Sequence, residues 1–153
     1  MQMVPINSLY GEYFITTDKS RMDEIAIHKW LSESSYWAKG LPFGKFKTGF
    51  DHSFCIGALM DGEQVGYGRL ITDYATFAYL ADVYVLESHR GKGISKQMMK
   101  LLFEQDWVTG LRRIMLATTD AHGLYRQIGF TSLGHPEKLM EIVHTYPYPQ
   151  KKR

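Results

Sequence analysis

The chain has 153 residues, 44% of them hydrophobic and 22% charged, a balance that excludes a disordered chain and a length that predicts a single domain over 1–153. Its formal charge is +2, and Lys151, Lys152 and Arg153 form a basic tail; the body is near neutral, so no basic nucleic-acid-binding face is expected. One cysteine, Cys55, excludes an internal disulfide framework and a multi-cysteine zinc site, and a reducing, cytoplasmic setting is the default. The opening residues lack a basic segment followed by an apolar one, so no signal peptide is expected. No apolar stretch approaches the ~20 residues of a membrane span.

In chain order, 12–16 (EYFIT) predicts a short strand. Asp18 and Ser20 offer N-caps for a helix over 21–32, whose Met22, Ile25, Ile27, Trp30 and Leu31 make a broad apolar face. Residues 34–44 (SSYWAKGLPFG) break that period with Gly and Pro and carry aromatics; a weaker helix is predicted over 43–50. Residues 53–60 and 64–72 read as strands joined by an Asp61-Gly62 hairpin turn. The near-continuous apolar run 76–86 (TFAYLADVYVL) predicts a central strand buried on both faces. It runs into Gly91 and Gly93, and apolar residues at helical spacing predict a helix over 93–105. A strand over 113–118 follows, then a short helix over 120–128 closed by Gly129, then a strand over 130–133. Residues 137–143 are ambiguous: Pro136-Glu137 suits a helix start, whereas Leu139 to Val143 suits a strand. Hairpins mixed with one helical crossover predict a mixed α+β or α/β sheet, with the strands at 76–86 and 113–118 parallel.

The stretch Arg90-Gly91-Lys92-Gly93-Ile94-Ser95 opens a helix directly after a buried strand. Glycines there allow a tight turn and leave N–H groups unshielded at the positive end of the helix dipole, a nest suited to a diphosphate. A plain connecting turn is the alternative, because a G-x-G alone is weak evidence. A Walker A loop is absent, and Lys96 stands where a dinucleotide fingerprint needs its third glycine.

Read from Val85 to Ile94, V-x-x-x-x-R-G-K-G-I resembles the coenzyme A signature (Q/R-x-x-G-x-G/A) of the GNAT superfamily of N-acetyltransferases. Downstream, Ala121-His122-Gly123-Leu124-Tyr125-Arg126-Gln127-Ile128-Gly129-Phe130 resembles the same family's A-x-x-L-Y-x-x-x-G-F. The resemblance implies a central mixed, mostly antiparallel sheet of six or seven strands flanked by about four helices, with a splayed parallel pair in the middle. It also resolves the C-terminal ambiguity toward a last strand. It implies that the backbone of Val83, Tyr84 and Val85 lies along the pantetheine arm of acetyl-CoA. Arg90, Gly91, Lys92, Gly93, Ile94 and Ser95 would hold the diphosphate, and Tyr125 would be general acid to the leaving sulfur. Ser95 departs from the signature's final Gly/Ala, and Thr118 stands where the family often has an asparagine seven residues before the tyrosine.

Beside this, Asp82 is the only charged residue in the 77–86 run. A carboxylate in a central strand is costly unless paired or useful, so it is either a candidate general base or a structural partner for a cation. Tyr36 and Trp37 fall where such folds bind the acceptor, with closure of the core over the first helix as the commoner fate of such a pair. His122 is a further candidate for lining the site, or a solvent-facing helix residue. Cys55 reads as core, and no histidine pair has metal-ligand spacing. The expectation is direct acetyl transfer to a primary amine, with a small molecule favoured over a protein N-terminus or lysine. A non-catalytic acyl-CoA sensor is the reading from another class. No metal, nucleic acid or membrane partner is expected, and a homodimer is expected only by family analogy.

Overall fold

Asp61 and Gly62 both adopt positive φ, 49° and 79°, the paired left-handed geometry of a tight turn matched to strand twist. They join β3 (Phe54–Met60) to β4 (Glu63–Thr72), the expected hairpin. The computed structural model describes residues 3–145 and 148; the basic tail lies outside them. Six strands form one sheet in the order β1-β2-β3-β4-β5-β6, with β1 at Asn7–Tyr10, β2 at Tyr13–Thr16, β5 at Phe77–Val85 and β6 at Arg113–Met115. Every neighbouring pair is antiparallel except β5 with β6, which is parallel.

Helices α1 (Glu24–Ser34) and α2 (Phe43–Asp51) cover one face. Ile27, Leu31, Phe46 and Phe50 pack there against Cys55, Tyr67 and Tyr84 of the sheet. On the other face, α3 (Ile94–Phe103), α4 (Asp106–Thr109) and α5 (His122–Ile128) bury Ile94, Met98, Met99, Leu102, Val108 and Tyr125 against Ile15, Ile56, Val65 and Leu80. At roughly 1.5–3 kcal/mol per fully buried large apolar side chain, these two layers drive the fold.

Four boundaries differ from the sequence expectations. Asp18 caps a 3-10 turn at Lys19–Arg21, and Asp23 caps α1 by accepting from the Ala26 N–H. β1 escaped sequence reading because Asn7-Ser8 has little strand character. β5 is not buried on both faces: Ala78 and Leu80 are buried, while Phe77 is exposed and Tyr79, Ala81, Asp82 and Val83 are half-buried. The cause is topological, because β6 pairs only with Phe77–Tyr79 and leaves the rest of β5 without a partner on that side. Finally, the expected strands at 130–133 and 139–143 are absent among the described residues. Residues 130–135 carry no regular structure, and a 3-10 turn at Pro136–Lys138 follows. Gly129 closes α5 at φ 113°, as its position predicted.

Candidate functional site

Two devices meet at the C-terminal half of β5. The first is the glycine turn. After β5 the chain makes a 3-10 turn at Glu87–His89, held from below by the buried His89, whose Nδ1 lies 2.8 Å from the Tyr13 hydroxyl. Arg90 folds back, its Nε donating to the Val85 carbonyl at 3.0 Å. Gly91 and Gly93 sit at φ 77° and 81°, a region that costs other residues about 1–2 kcal/mol. Gly93 is the N-cap of α3 and supplies no side-chain cap, so the first N–H groups of the helix point outward unshielded. Tyr10 clamps the turn from β1 by donating to the Lys92 carbonyl at 2.8 Å.

A Cβ added at Gly91 would meet nothing within 4 Å, which marks the outer wall of the turn as open. Arg90, Gly91, Lys92, Gly93 and Lys96 are exposed around it. Bare N–H donors, the positive end of α3 and three cationic side chains fit a diphosphate in charge and in hydrogen-bond type.

The second device is a break in the sheet. Opposite Gly68 of β4 stand two residues of β5, Asp82 and Val83, because the register slips between Tyr67 and Arg69. Asp82 takes φ 58° at this bulge. The bulge bends β5 where it has already parted from β6, and it opens a cleft between the two parallel strands. Side chains gather at its mouth. Asp82 Oδ2 accepts from Arg69 Nε at 2.7 Å, and Oδ1 accepts from Trp37 Nε1 at 2.8 Å. Arg69 also donates to Ser53 Oγ at 2.8 Å. Trp37 packs edge-on against Tyr36 and leans on Trp30, which stacks on Tyr84 at 4.0 Å. Across the gap, Thr119 Oγ1 donates to the Tyr36 hydroxyl at 2.9 Å.

Tyr125 lies on α5 and is buried, its ring edge-on to Phe130. Burial pushes its phenol up to about 12, and the neighbouring Tyr36 and Asp120 add to the effect. The hydroxyl is therefore a protonated donor at any physiological pH.

Tyr36, Trp37 and Asp82, singled out separately from the sequence, are thus linked by direct contacts. Tyr36 and Trp37 stay 59% and 41% exposed, so they form a wall and not a core plug. Asp82 has a cation on one oxygen and an indole N–H on the other. His122 is exposed at the first position of α5 and lines a different groove, on the outer side of β6. Cys55 is buried against the Tyr67 hydroxyl, and burial pushes its thiol up, which makes it a poor nucleophile. Sequence reading missed Arg69, Thr119, Tyr10 and the Tyr13–His89 pair. None of them left a sequence signal: Arg69 pairs with Ala81 in the register, and only the bulge brings its guanidinium to Asp82.

This geometry yields a first prediction. Asp82→Asn keeps an acceptor for Trp37 and removes the charge that faces Arg69. It is expected to cost about 1–3 kcal/mol of stability in thermal denaturation and to leave the shape of the pH–rate profile unchanged. Disappearance of an acidic limb from that profile would return the carboxylate to the role of base.

An open mixed sheet with a bulged, splayed parallel pair and a glycine turn at its mouth defines a class of acyl-CoA-using transferases. The comparisons agree. Residues 14–130 match the model of the acetyltransferase (GNAT) family, and the chain belongs to that family. A crystal structure from Xanthomonas campestris pv. campestris, provisionally assigned as an acetyltransferase of the GNAT family, is 46% identical and superposes with a TM-score of 0.86, covering 90% of this chain and 97% of that one. A Gibberella zeae protein provisionally named acetyltransferase is 37% identical over 142 residues, covering 79% of this chain and 80% of the relative. The thialysine N-epsilon-acetyltransferase of Bos taurus is 33% identical over 81 residues, and the match spans 48% of each chain. The protein is a GNAT acetyltransferase. No described helix is long and apolar enough to cross a membrane.

Proposed function

We propose that the protein transfers an acetyl group from acetyl-CoA directly to a primary amine of a small molecule. The observation that carries this reading is the placing of a buried, protonated phenol, Tyr125, in the same fold unit as the glycine turn and the opened edge of β5. Acetyl-CoA supplies an acyl carbon activated as a thioester. Backbone N–H groups of 91–95 with the Arg90 and Lys92 side chains would hold its diphosphate, the Arg90 N–H itself being spent on the Glu87 carbonyl, and the free edge at Val83, Tyr84 and Val85 would hold its pantetheine arm by strand-like hydrogen bonds. N–H groups freed at the Asp82–Val83 bulge are suited to polarise a carbonyl, because they need no reorganisation when charge develops there.

In the overall change an N–C bond forms, the C–S bond breaks, the amine gives up one proton and the sulfur takes one. Tyr125 Oη holds the proton that the sulfur needs. An alkyl amine has a pKa of ~10, so the aromatic wall of Tyr36 and Trp37 serves by desolvating it and favouring its neutral form. Asp82 is a positioning residue in this scheme: it locks Trp37 against the bulge and neutralises Arg69. The Bos taurus relative is named for an N-epsilon amine of a lysine analogue, which supports a small amine as acceptor.

The test begins with thermal melts alone, with acetyl-CoA, with CoA and with NAD. At a hundred times its dissociation constant a ligand adds about 2.7 kcal/mol, or roughly 5–10 °C for a domain of this size. A shift with both coenzyme A species and none with NAD is expected, followed by thiol release on a panel of small primary amines. No shift with acetyl-CoA or CoA overturns the proposal. A shift without thiol release from any amine or peptide favours the sensor reading.

A further inference from the structure

The two aromatic rings at the mouth of the cleft are held in different ways. Trp37 is fixed from below: its Nε1 donates to Asp82 Oδ1 at 2.8 Å, and its ring leans on Trp30 at 5.8 Å. Tyr36 stands at the rim, 59% exposed, and its ring meets only Trp37, edge-on at 4.9 Å, among the described aromatic contacts. Its hydroxyl is held from the far side of the cleft, where Thr119 Oγ1 donates to it at 2.9 Å across 83 positions of sequence. Among the described residues this is the only hydrogen bond that joins the loop 35–42 to the chain beyond β6.

The far anchor is itself braced. Thr119 lies in the bend between β6 and α5, and Thr118 Oγ1 accepts from the Ala121 N–H at 3.1 Å, which ties that bend to the start of α5. Ala121 is the N-cap of α5, and the Tyr125 N–H, one turn on, donates to the Ala121 carbonyl at 3.2 Å. The bridge therefore couples the aromatic wall to the helix that carries the buried phenol. The two tyrosines are near enough for Tyr36 to help push the Tyr125 phenol up. The bridge does little for the fold, because both of its side chains are exposed and water replaces a hydrogen bond lost there. Its consequence lies in the shape of the mouth.

We infer that Thr119 is a positioning residue for the amine acceptor: its hydroxyl holds the Tyr36 ring across the mouth of the cleft, in the orientation that closes the aromatic wall over the reacting nitrogen. This role presumes the amine acceptor proposed above. A tyrosine side chain has three staggered positions about χ1. Without the Thr119 hydroxyl, only the edge contact with Trp37 remains to select the one that reaches the bend before α5. A binding-competent orientation that is populated only in part weakens apparent affinity by that fraction. With three comparable positions, and added freedom in the loop, the amine should bind roughly three- to tenfold more weakly. Bound amine selects the closed ring, so turnover at saturation stays the same. The acetyl-CoA end is untouched, because the glycine turn is held by Tyr10 and Val85 and makes no described hydrogen bond with Thr119.

Thr119→Val keeps the shape of the side chain and removes its hydroxyl. With butylamine, benzylamine or ethanolamine, whichever releases thiol fastest, KM for the amine is expected to rise roughly three- to tenfold. The kcat, the KM for acetyl-CoA and the melting temperature should not change, and Thr119→Ser should restore the parent KM. Tyr36→Phe lacks the oxygen that accepts the bond, so it should raise the same KM, and Thr119→Val added to it should raise it no further. An unchanged amine KM in Thr119→Val, or a rise shared equally by both substrates, overturns the inference. Acrylamide quenching of tryptophan fluorescence reads the ring without any substrate. Freeing Tyr36 uncovers Trp37, so quenching should increase in Thr119→Val and not in Thr119→Ser. If no amine releases thiol, the acceptor reading fails on its own account; quenching equal to that of the parent then overturns the bridge as well, and increased quenching supports it.

Discussion

Tyr125→Phe is expected to lower turnover by roughly 10²-fold or more while the dissociation constant for acetyl-CoA changes little, the signature of a lost general acid. The substitution removes one oxygen. It keeps the ring that packs on Phe130 and fills the core beneath α5, and no described hydrogen bond from the hydroxyl is lost, so the fold should stay intact. The phenol is pushed up to about 12 by burial, which has two consequences. It stays protonated at neutral pH, and it is a weaker acid than a thiol in water, whose pKa is about 8.5. Full proton transfer is therefore favourable only when the thiolate forms in the same desolvated surroundings, which raise its basicity as they raise that of the phenolate. The variant should be less impaired with an acyl donor carrying a more acidic thiol, which needs less protonation to leave, and its deficit should be the same across the physiological pH range, because a phenol pushed up to about 12 stays protonated throughout it. Steady-state kinetics with two thioesters at several pH values checks both points. An unchanged rate in Tyr125→Phe would remove the general-acid assignment and leave the residue a core aromatic.

Much of the fold was legible because the deciding signals are local. Asp61-Gly62 needs no tertiary help to turn a hairpin, and Gly129 ends α5 by its own left-handed backbone. The glycine pair at 91 and 93 marked the turn for the same reason. Failures arose where tertiary pairing decides. β5 looked like a strand buried on both sides because its residue types suit that environment, yet the parting of β5 from β6 exposes one side to the cleft. The bulge at Asp82 is invisible to periodicity, since it depends on the register against β4. The C-terminal run failed differently: Leu139, Ile142 and Val143 have strand character, and the structure of one chain does not pair them.

The site shows the same division. Tyr36, Trp37, Asp82 and Tyr125 stood out as chemically unusual for their positions, but nothing in the sequence said that Trp37 would donate to Asp82 across 45 positions. Arg69 and Thr119 look like ordinary strand and loop residues until the register and the loop crossing place them. The clamp from Tyr10 to the Lys92 carbonyl spans 82 positions and belongs to a strand that weak propensity concealed.

That clamp makes Gly93→Ala the second large effect. Gly93 sits at φ 81° and caps α3, and a Cβ built on it would stand 2.7 Å from the Tyr10 hydroxyl. Backbone strain contributes about 1–2 kcal/mol. Tyr10 must also swing away and give up its bond to Lys92, at about 1 kcal/mol. The melting temperature is expected to fall by roughly 5–10 °C, with acetyl-CoA bound at least several-fold more weakly because the displaced N–H groups are those proposed to hold its diphosphate. Gly91→Ala separates the two terms, for Gly91 has comparable φ and open space at its Cβ, so it should show the strain alone. In a Tyr10→Phe background the hydroxyl is gone, and Gly93→Ala should then cost about 1 kcal/mol less than in the parent chain. Strict additivity of the two substitutions would mean that the tyrosine does not hold the turn, and that the conformation of the turn rests on its glycines alone.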